Sequence, residues 1–302
     1  MSRSTISLYQ LGKMFPDEAT ARVYMEKRRW PNGPICPHCA EAKRIGPRPN
    51  GFYRCNACKK DFTVRTGTIF ERSHVPLDKW IMAMYVVMTA RKGVSSLQLG
   101  KEIGVTQKTA WFILGRLREA CGNDSTALRG VVAIDETDIG GKKRNKHGNK
   151  KQNAGRGTVG KTPVLGMRQR GGRTKAKPVS RTGALNLQSE IRAHGEAGIH
   201  TDEHGAYQGL GGDYTHETVD HGAKEYVRDD LTTNGIESVW AVMKRALHGV
   251  YHHASPKHLH RYVDEFTFRL NDGDVKRHIL ERLASLVSAS FGPRLTYREL
   301  TA

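Results

Sequence analysis

Apolar and polar positions follow one another along this chain with changing period, and the changes mark its parts. From Asp17 to Arg29 a segment spaced for a helix has acids at its start and bases at its end, as the helix dipole favours. Between Trp80 and Thr89 a Met-, Tyr- and Val-rich run predicts a packed helix, well short of the roughly 18 apolar residues a membrane span needs. Val94 to Arg118 reads as two short helices broken at Gly104. Thr106 is the expected N-cap of the second, and Ala110, Ile113, Leu114 and Leu117 fall on its inner face.

From residue 128 onward strand-like runs alternate with helical ones, which predicts an α/β region. Val131 to Ile134 is a continuous apolar run, the mark of a strand buried on both faces, and Asp135 is expected to emerge at its end. Val164–Arg170 and Lys175–Ser180 are expected to be neighbouring strands. A helix over 185–194 and a short strand ending at Asp202 follow. In the next helix Ile236, Val239, Trp240, Met243 and Leu247 make an apolar stripe, while Asn234, Glu237, Ser238, Ala241 and Lys244 share the opposite face.

The expected organisation is a helical segment over 1–30, a cysteine-bearing stretch over 31–70, a helical region over 71–125 and an α/β domain over 126–302. Gly141–Ser189 within the last contains no Asp or Glu and many Lys, Arg and Gly residues. A run with no acid on either face is expected to be a flexible basic loop in part and a DNA track in part. The formal net charge of +19 points the same way, toward nucleic acid rather than a membrane, since no basic amphipathic anchor accompanies it. The first residues lack the apolar core of a secretory signal, so a cytoplasmic protein is expected.

Cys36-Pro-His-Cys39 and Cys55-Asn-Ala-Cys58 form C-x2-C-x15-C-x2-C, the template of a structural zinc site. Each knuckle turns two thiolates toward one point, and two knuckles close a tetrahedral shell. His38 lies inside a knuckle and is expected to face solvent. The fifth cysteine, Cys121, reads as a small buried hydrophobe. The helix pair around Gly104 is either an ordinary hairpin or a helix-turn-helix; in the second case Thr106, Gln107 and Lys108 open the helix that meets DNA. The neighbouring cysteine module and the charge favour DNA reading. Lys142, Lys143 and Arg144 are expected to contact DNA phosphates.

Three acids stand apart from the other charged residues by their surroundings: Asp135 after an apolar strand, Asp202 after Ile199-His-Thr, and Glu237 on an amphipathic helix. Carboxylates delivered in this way suit the hard ion Mg²⁺ and phosphoryl transfer on nucleic acid. Glu136 and Asp138 are rival acids, but strand alternation sends Glu136 to the opposite face. Lys244 lies two turns beyond Glu237 on one side of the helix, placed to steady a phosphate. His252, His253, His258 and His260 invite a metal reading, but they have no acid or Cys partners at suitable spacing, so DNA contact or packing is expected.

These residues carry a resemblance. Asp135-Glu-Thr-Asp-Ile-Gly-Gly141, Thr201-Asp-Glu-His-Gly-Ala-Tyr207, Asp220-His221, Thr233-Asn-Gly-Ile-Glu-Ser-Val-Trp-Ala-Val-Met-Lys-Arg245 and the tail from Gly249 to Asn271 resemble bacterial insertion-sequence transposases of the DDE type, in the family numbered fifteen ninety-five. The order of zinc ribbon and helix-turn-helix before these motifs is likewise that family's. The resemblance implies a multidomain α/β protein whose ribonuclease H-like catalytic domain has a mixed sheet. It implies two Mg²⁺ ions about 4 Å apart held by Asp135, Asp202 and Glu237, with Mn²⁺ able to substitute. Water would cut the element's terminal inverted repeats, and the freed 3′-hydroxyl would attack target double-stranded DNA. A homo-oligomer on DNA, associated with the nucleoid and not with membrane, is also implied. Members often carry His two residues before the Asn; here the residue is Thr232. Asn234 and Glu237 both offer an oxygen as third ligand, and the carboxylate is preferred because it also neutralises charge. A DNA-binding regulator without catalysis and a nuclease that cuts without joining are the rival readings.

Overall fold

Ser7 opens the first helix, α1 (Leu8–Met14). Its hydroxyl accepts the Gln10 N–H while the Gln10 side chain accepts the Ser7 N–H, a reciprocal cap. The computed structural model describes residues 5–122, 126–141, 160–180, 182–192, 198–202, 207, 212, 216–219 and 234–301. It divides into one unit of residues 1–123 with 272–302 and a second of 124–271.

In the first unit Asp17 caps α2 (Glu18–Arg29) by accepting the Thr20 N–H at 2.8 Å, and Lys27, Arg28 and Arg29 complete its last turn. A three-stranded antiparallel sheet follows, made of β1 (Ile45–Arg48), β2 (Phe52–Cys55) and β3 (Asp61–Phe62). Trp30 meets Tyr53 and Phe62 edge-on at ring distances of 5.7 Å, which fastens the sheet to the end of α2. Then come α3 (Leu77–Thr89), α4 (Ser96–Ile103) and α5 (Gln107–Cys121). The apolar run of α3 is core, with Trp80, Ile81, Ala83 and Met84 no more than 1% exposed. Cys121 is buried at the end of α5, as a small hydrophobe would be.

The second unit contains β4 (Val132–Ile139), β5 (Thr162–Gln169), β6 (Thr174–Pro178), α6 (Ala184–Arg192), β7 (Ile199–Asp202), β8 (His216–Val219), α7 (Asn234–Ala246) and α8 (Leu259–Asp272). Its sheet runs β6-β5-β4-β7-β8, so the first strand is central. β4, β5 and β6 pair antiparallel; β7 and β8 extend the sheet in parallel from β4. The strand alternation sorts two cores. Val132, Ile134, Leu165 and Met167 pack with Leu187 and Ile191 of α6. Ala133 and Val164 face the other way, onto Ile236, Val239, Trp240 and Met243 of α7 and Val263 and Phe266 of α8. At the end of α8, Asn271 clamps β6: its Oδ1 accepts the Thr174 N–H and its Nδ2 donates to the Thr174 carbonyl, each at 2.8 Å. This mixed sheet with helices on both faces is the ribonuclease H-like arrangement that the resemblance implies.

Two expectations need correction. The α/β domain expected over 126–302 ends at 271, because α9 (Ile279–Ala289) buries Ile279, Leu283, Leu286 and Val287 and packs against α2 and α3 in the first unit. The short α10 (Tyr297–Thr301) belongs there too: Leu300 lies so close to Gly115 of α5 that a Cβ on Gly115 would stand 2.6 Å from its Cδ1. Residues 1–30, 31–70 and 71–123 fall together in the first unit. Second, Asp135 is not at a strand end. β4 runs on to Ile139 because Glu136–Ile139 pair antiparallel with Thr162–Leu165, and that pairing is invisible in a local apolar count.

Candidate active site and metal centre

The cysteine quartet is assembled as its spacing predicts. Cys36 and Cys39 approach the knuckle of Cys55, at the end of β2, and Cys58. The sulfurs stand 3.7 Å apart for Cys36–Cys58 and 3.6 Å for Cys39–Cys55, and all four lie within 4.8 Å of one another. Four sulfurs held about 2.3 Å from one ion at tetrahedral corners are about 3.8 Å apart, so the geometry fits zinc. The backbone N–H of Cys58 holds the Cys55 thiol down at about 7. The Glu41 N–H pulls Cys39 down as well, but desolvation and the three neighbouring sulfurs push it up to about 12. Thiols so crowded lose their protons together only when a cation sits between them. The four cysteines are therefore positioned to bind a zinc ion, and a closed sulfur shell leaves that ion no open position for chemistry. His38, inside the first knuckle, is exposed.

In the helix pair, Gly104 adopts φ 64°, ψ 52°, the left-handed conformation a glycine takes without strain, and ends α4. Gly100 is required one turn earlier, since a Cβ there would stand 3.0 Å from the Val105 carbonyl oxygen. Lys79 of α3 donates to the Gly104 carbonyl at 2.9 Å and ties the turn to the preceding helix. Thr106 caps α5 through the Thr109 N–H at 3.2 Å. Ala110, Ile113, Leu114 and Leu117 are buried, while Thr106, Gln107 and Lys108 are exposed. The Gln107 amide is not loose: it donates to the Ser96 hydroxyl at 2.9 Å, joining the starts of α4 and α5.

The acids of the second unit sit on three elements. Asp135 is on β4; its Oδ1 accepts the Glu136 N–H at 2.8 Å, and its Oδ2 accepts the Trp240 indole N–H at 2.9 Å. Trp240 belongs to α7, as does Glu237, one turn earlier and exposed. Gly166, the register partner of Asp135 on β5, makes room for this contact. A Cβ at Gly166 would stand 2.3 Å from Cζ2 of Trp240 and 2.9 Å from Cδ1 of Ile236. Asp202 ends β7. That strand pairs Ile199 with Val132 and His200 with Ala133, and continuing the register brings the Asp202 backbone level with Asp135 on the adjacent strand. Asn234 is the first residue of α7. Lys244 lies exposed further along the same helix. Of the rival acids, Asp138 is part-buried, and burial pushes its carboxyl up against the opposing pull of Lys161 and Lys244. Lys142, Lys143 and Arg144 lie outside the described residues.

The donor set offered by Asp135 and Glu237 is carboxylate oxygen, the chemistry that suits a hard divalent cation. Sequence reasoning treated Trp240 only as core. The signal that could have found its second role is Gly166, a glycine inside an apolar strand, which often marks a close approach. Of the histidines, His258 contacts Arg261 at 3.2 Å, whereas His252 and His253 line a cleft beside Lys161 and Lys244.

A zinc-ribbon module followed by a mixed sheet with acids on its central strand and on a flanking helix is the arrangement that the resemblance to DNA transposases implies. Residues 127–271 match the ISXO2-like transposase domain, and 16–61 match the transposase zinc-ribbon domain. An uncharacterised protein in the transposable element ISH50 of Halobacterium salinarum is 34% identical over 251 residues, 78% of this chain and 85% of that protein. The chain belongs to the IS1595 family of insertion-sequence transposases. Among solved structures, a pre-cleavage Mos1 transpososome is 14% identical over 70% of this chain and 79% of that one, with a TM-score of 0.29. A simian T-cell lymphotropic virus intasome in complex with PP2A regulatory subunit B56 gamma is 13% identical over 61% and 65%, with a TM-score of 0.28. Likenesses this loose add nothing to the family match. No helix among the described residues is long and apolar enough to cross a membrane.

Proposed function

We propose that this transposase recognises the terminal inverted repeats of its insertion sequence and cuts and joins DNA with Asp135, Asp202 and Glu237. The observation that carries the reading is a convergence. The Asp135 carboxylate is fixed by an indole from the helix that also bears Glu237, and the β4–β7 register, continued two residues past Ala133 and His200, sets the Asp202 backbone beside it. Asp135, Asp202 and Glu237 are the residues that would hold Mg²⁺, or Mn²⁺ in its place. When bound, the pair of ions supplies Lewis acidity to the attacking and leaving oxygens of a phosphodiester. Trp240 orients Asp135, Lys244 steadies the phosphate, and Asn234 assists at the start of α7.

Water displaces the 3′-oxygen at an element end, forming one P–O bond and breaking another, and the departing oxygen takes a proton. The resulting 3′-hydroxyl then displaces the 3′-oxygen of a target phosphodiester with the same balance, so no further reagent is consumed. Recognition of the ends falls to α4 and α5, where Gln107 and Lys108 stand nearest the DNA and Lys142, Lys143 and Arg144 add phosphate contacts. Two ends must be brought together, so the working form is a homo-oligomer on DNA, associated with the nucleoid through that binding.

The test incubates the protein with Mg²⁺, a linear end-bearing duplex and a plasmid. Joined products are expected from the wild type, and Glu237→Gln, Asp135→Asn and Asp202→Asn should abolish cutting and joining while leaving end-binding intact. Cut products alone would mean a nuclease, and binding alone a regulator. A Glu237→Gln protein that still joins ends, beside a dead Asn234→Ala, would move the third ligand to Asn234.

A further inference from the structure

The axis of α7 does not continue smoothly past Ala246. Leu247–Tyr251 form a π-helical turn, and His252 after it is held at φ 58°, ψ −41°, a conformation costly for any residue with a Cβ. Single π turns are frequent at functional sites, and an observed backbone outlier justifies asking what it holds in place. Here the turn brings His248, His252 and His253 to one wall of a cleft of about 440 Å³, a size in the usual range of ligand sites. Lys161 and Lys244 line the same cleft, and Asp138 is the one acid among the described residues of its wall. Gly140, at the end of β4, lets the Lys161 backbone come close, since a Cβ there would stand 3.1 Å from the Lys161 Cα.

A metal site is a poor account of these groups. Among the described residues the cysteine quartet is the only set of three or more His, Cys, Asp or Glu with ligand atoms within 4.8 Å of one another. An anion is the better one. Among the described lining residues two lysines face a single carboxylate, neither lysine is tied into a salt bridge with a described residue, and the His248 and His253 imidazoles add donors, while the His252 Nδ1–H is spent on the His248 carbonyl at 3.1 Å. The place matters as well. Lys244 lies seven residues beyond Glu237, about 10 Å along a helix. Asp138 lies three beyond Asp135, also about 10 Å along a strand. The cleft is thus one strand-length step from the acids, the span of about three phosphates at 3.4 Å rise per nucleotide.

We infer that this cleft seats the phosphodiester backbone of the DNA strand running on from the cut, held by Lys161, His248 and His253 beside Lys244. The inference rests on the catalytic reading above and adds a substrate-strand subsite to it. Phosphate chemistry has two sources, a DNA strand and free phosphate, and the occupant assigned here is the strand.

The experiment uses the full chain and a duplex copied from the element's own end. Lys161→Ala, His253→Ala and the double variant are compared with wild type in the slope of log Kobs against log salt. Each lost phosphate contact should flatten the slope by about 0.9, and the double variant should be the flattest of the three. These side chains are exposed, so the melting temperature should not move. In a wild-type complex, replacing single phosphates by uncharged methylphosphonates should reproduce the loss at a position a few nucleotides from the cut, and that loss should vanish in the double variant. An unchanged slope in the double variant overturns the assignment, as does equal sensitivity to methylphosphonate at every position. So does a tight response of the histidine ring signals to inorganic phosphate alone, with DNA binding unaffected. Mg²⁺-dependent cutting by wild type is measured alongside. Its absence would defeat the catalytic reading, whereas cutting with unaltered slopes would defeat only the subsite.

Discussion

Replacing Trp240 by Phe removes one atom that matters for chemistry, the indole N–H that meets Oδ2 of Asp135 at 2.9 Å. A hydrogen bond to a charged group contributes about 1.5–3 kcal/mol, and 1.4 kcal/mol is a factor of ten, so the cutting rate should fall by roughly 10- to 100-fold. The Glu136 N–H still holds Oδ1, which limits the loss. The substitution also removes ring volume from a buried position, and that packing effect must be separated from the loss of the donor. Val239→Ala is the control: Val239 is 2% exposed in the same cluster on the same helix and donates nothing to Asp135. Mg²⁺-dependent cutting of an end-bearing duplex, Mn²⁺ affinity and thermal unfolding are measured on both proteins. Both should melt earlier, but Trp240→Phe should lose far more rate at unchanged end-binding. Gly166→Ala should repeat the effect from the opposite side, because its methyl needs the space of the Trp240 ring. If Trp240→Phe cuts no more slowly than Val239→Ala, the indole is only packing and the positioning argument is refuted.

Other outcomes follow from the same structure. Chelating the zinc, or making Cys55→Ser, should unfold the module around β1–β3, with elemental analysis reporting one zinc per chain beforehand and circular dichroism reporting the loss. Leu300→Ala should lower the stability of the first unit by about 2–3 kcal/mol in denaturant titration, since a 2%-exposed leucine against Gly115 leaves a cavity. An unchanged midpoint would contradict the return of the C-terminal segment to that unit. Thr106→Ala should cost about 1 kcal/mol through the lost cap on α5, readable in the same titration. Gln107→Ala should shift sequence preference in a binding selection, whereas neutralising Lys142, Lys143 and Arg144 together should weaken binding to all sequences and flatten its salt dependence.

Much of this molecule is local and was therefore legible in its sequence. Two cysteine knuckles need only their own spacing to aim four thiolates at one point. Asp17, Gly104 and Thr106 stop or start helices by bonds to residues three or four positions away. The stripe of Ile236, Val239, Trp240 and Met243 marks the buried face of α7 because a helix repeats within the window that shows it. The three acids proposed for the site are chosen by what flanks each one. What the chain does at long range was not legible. That β4 continues past Asp135 depends on pairing with residues 162–165, across an intervening stretch of sequence. That residues 272–302 leave the second unit depends on which apolar face α9 finds, and an amphipathic helix does not name its partner. The contact between Trp240 and Asp135 joins residues 105 positions apart and exists only because Gly166 leaves the space between sheet and helix open. Local bonding decides elements within a few residues, whereas contacts between distant segments depend on how whole faces pack, and only the tertiary structure decides that.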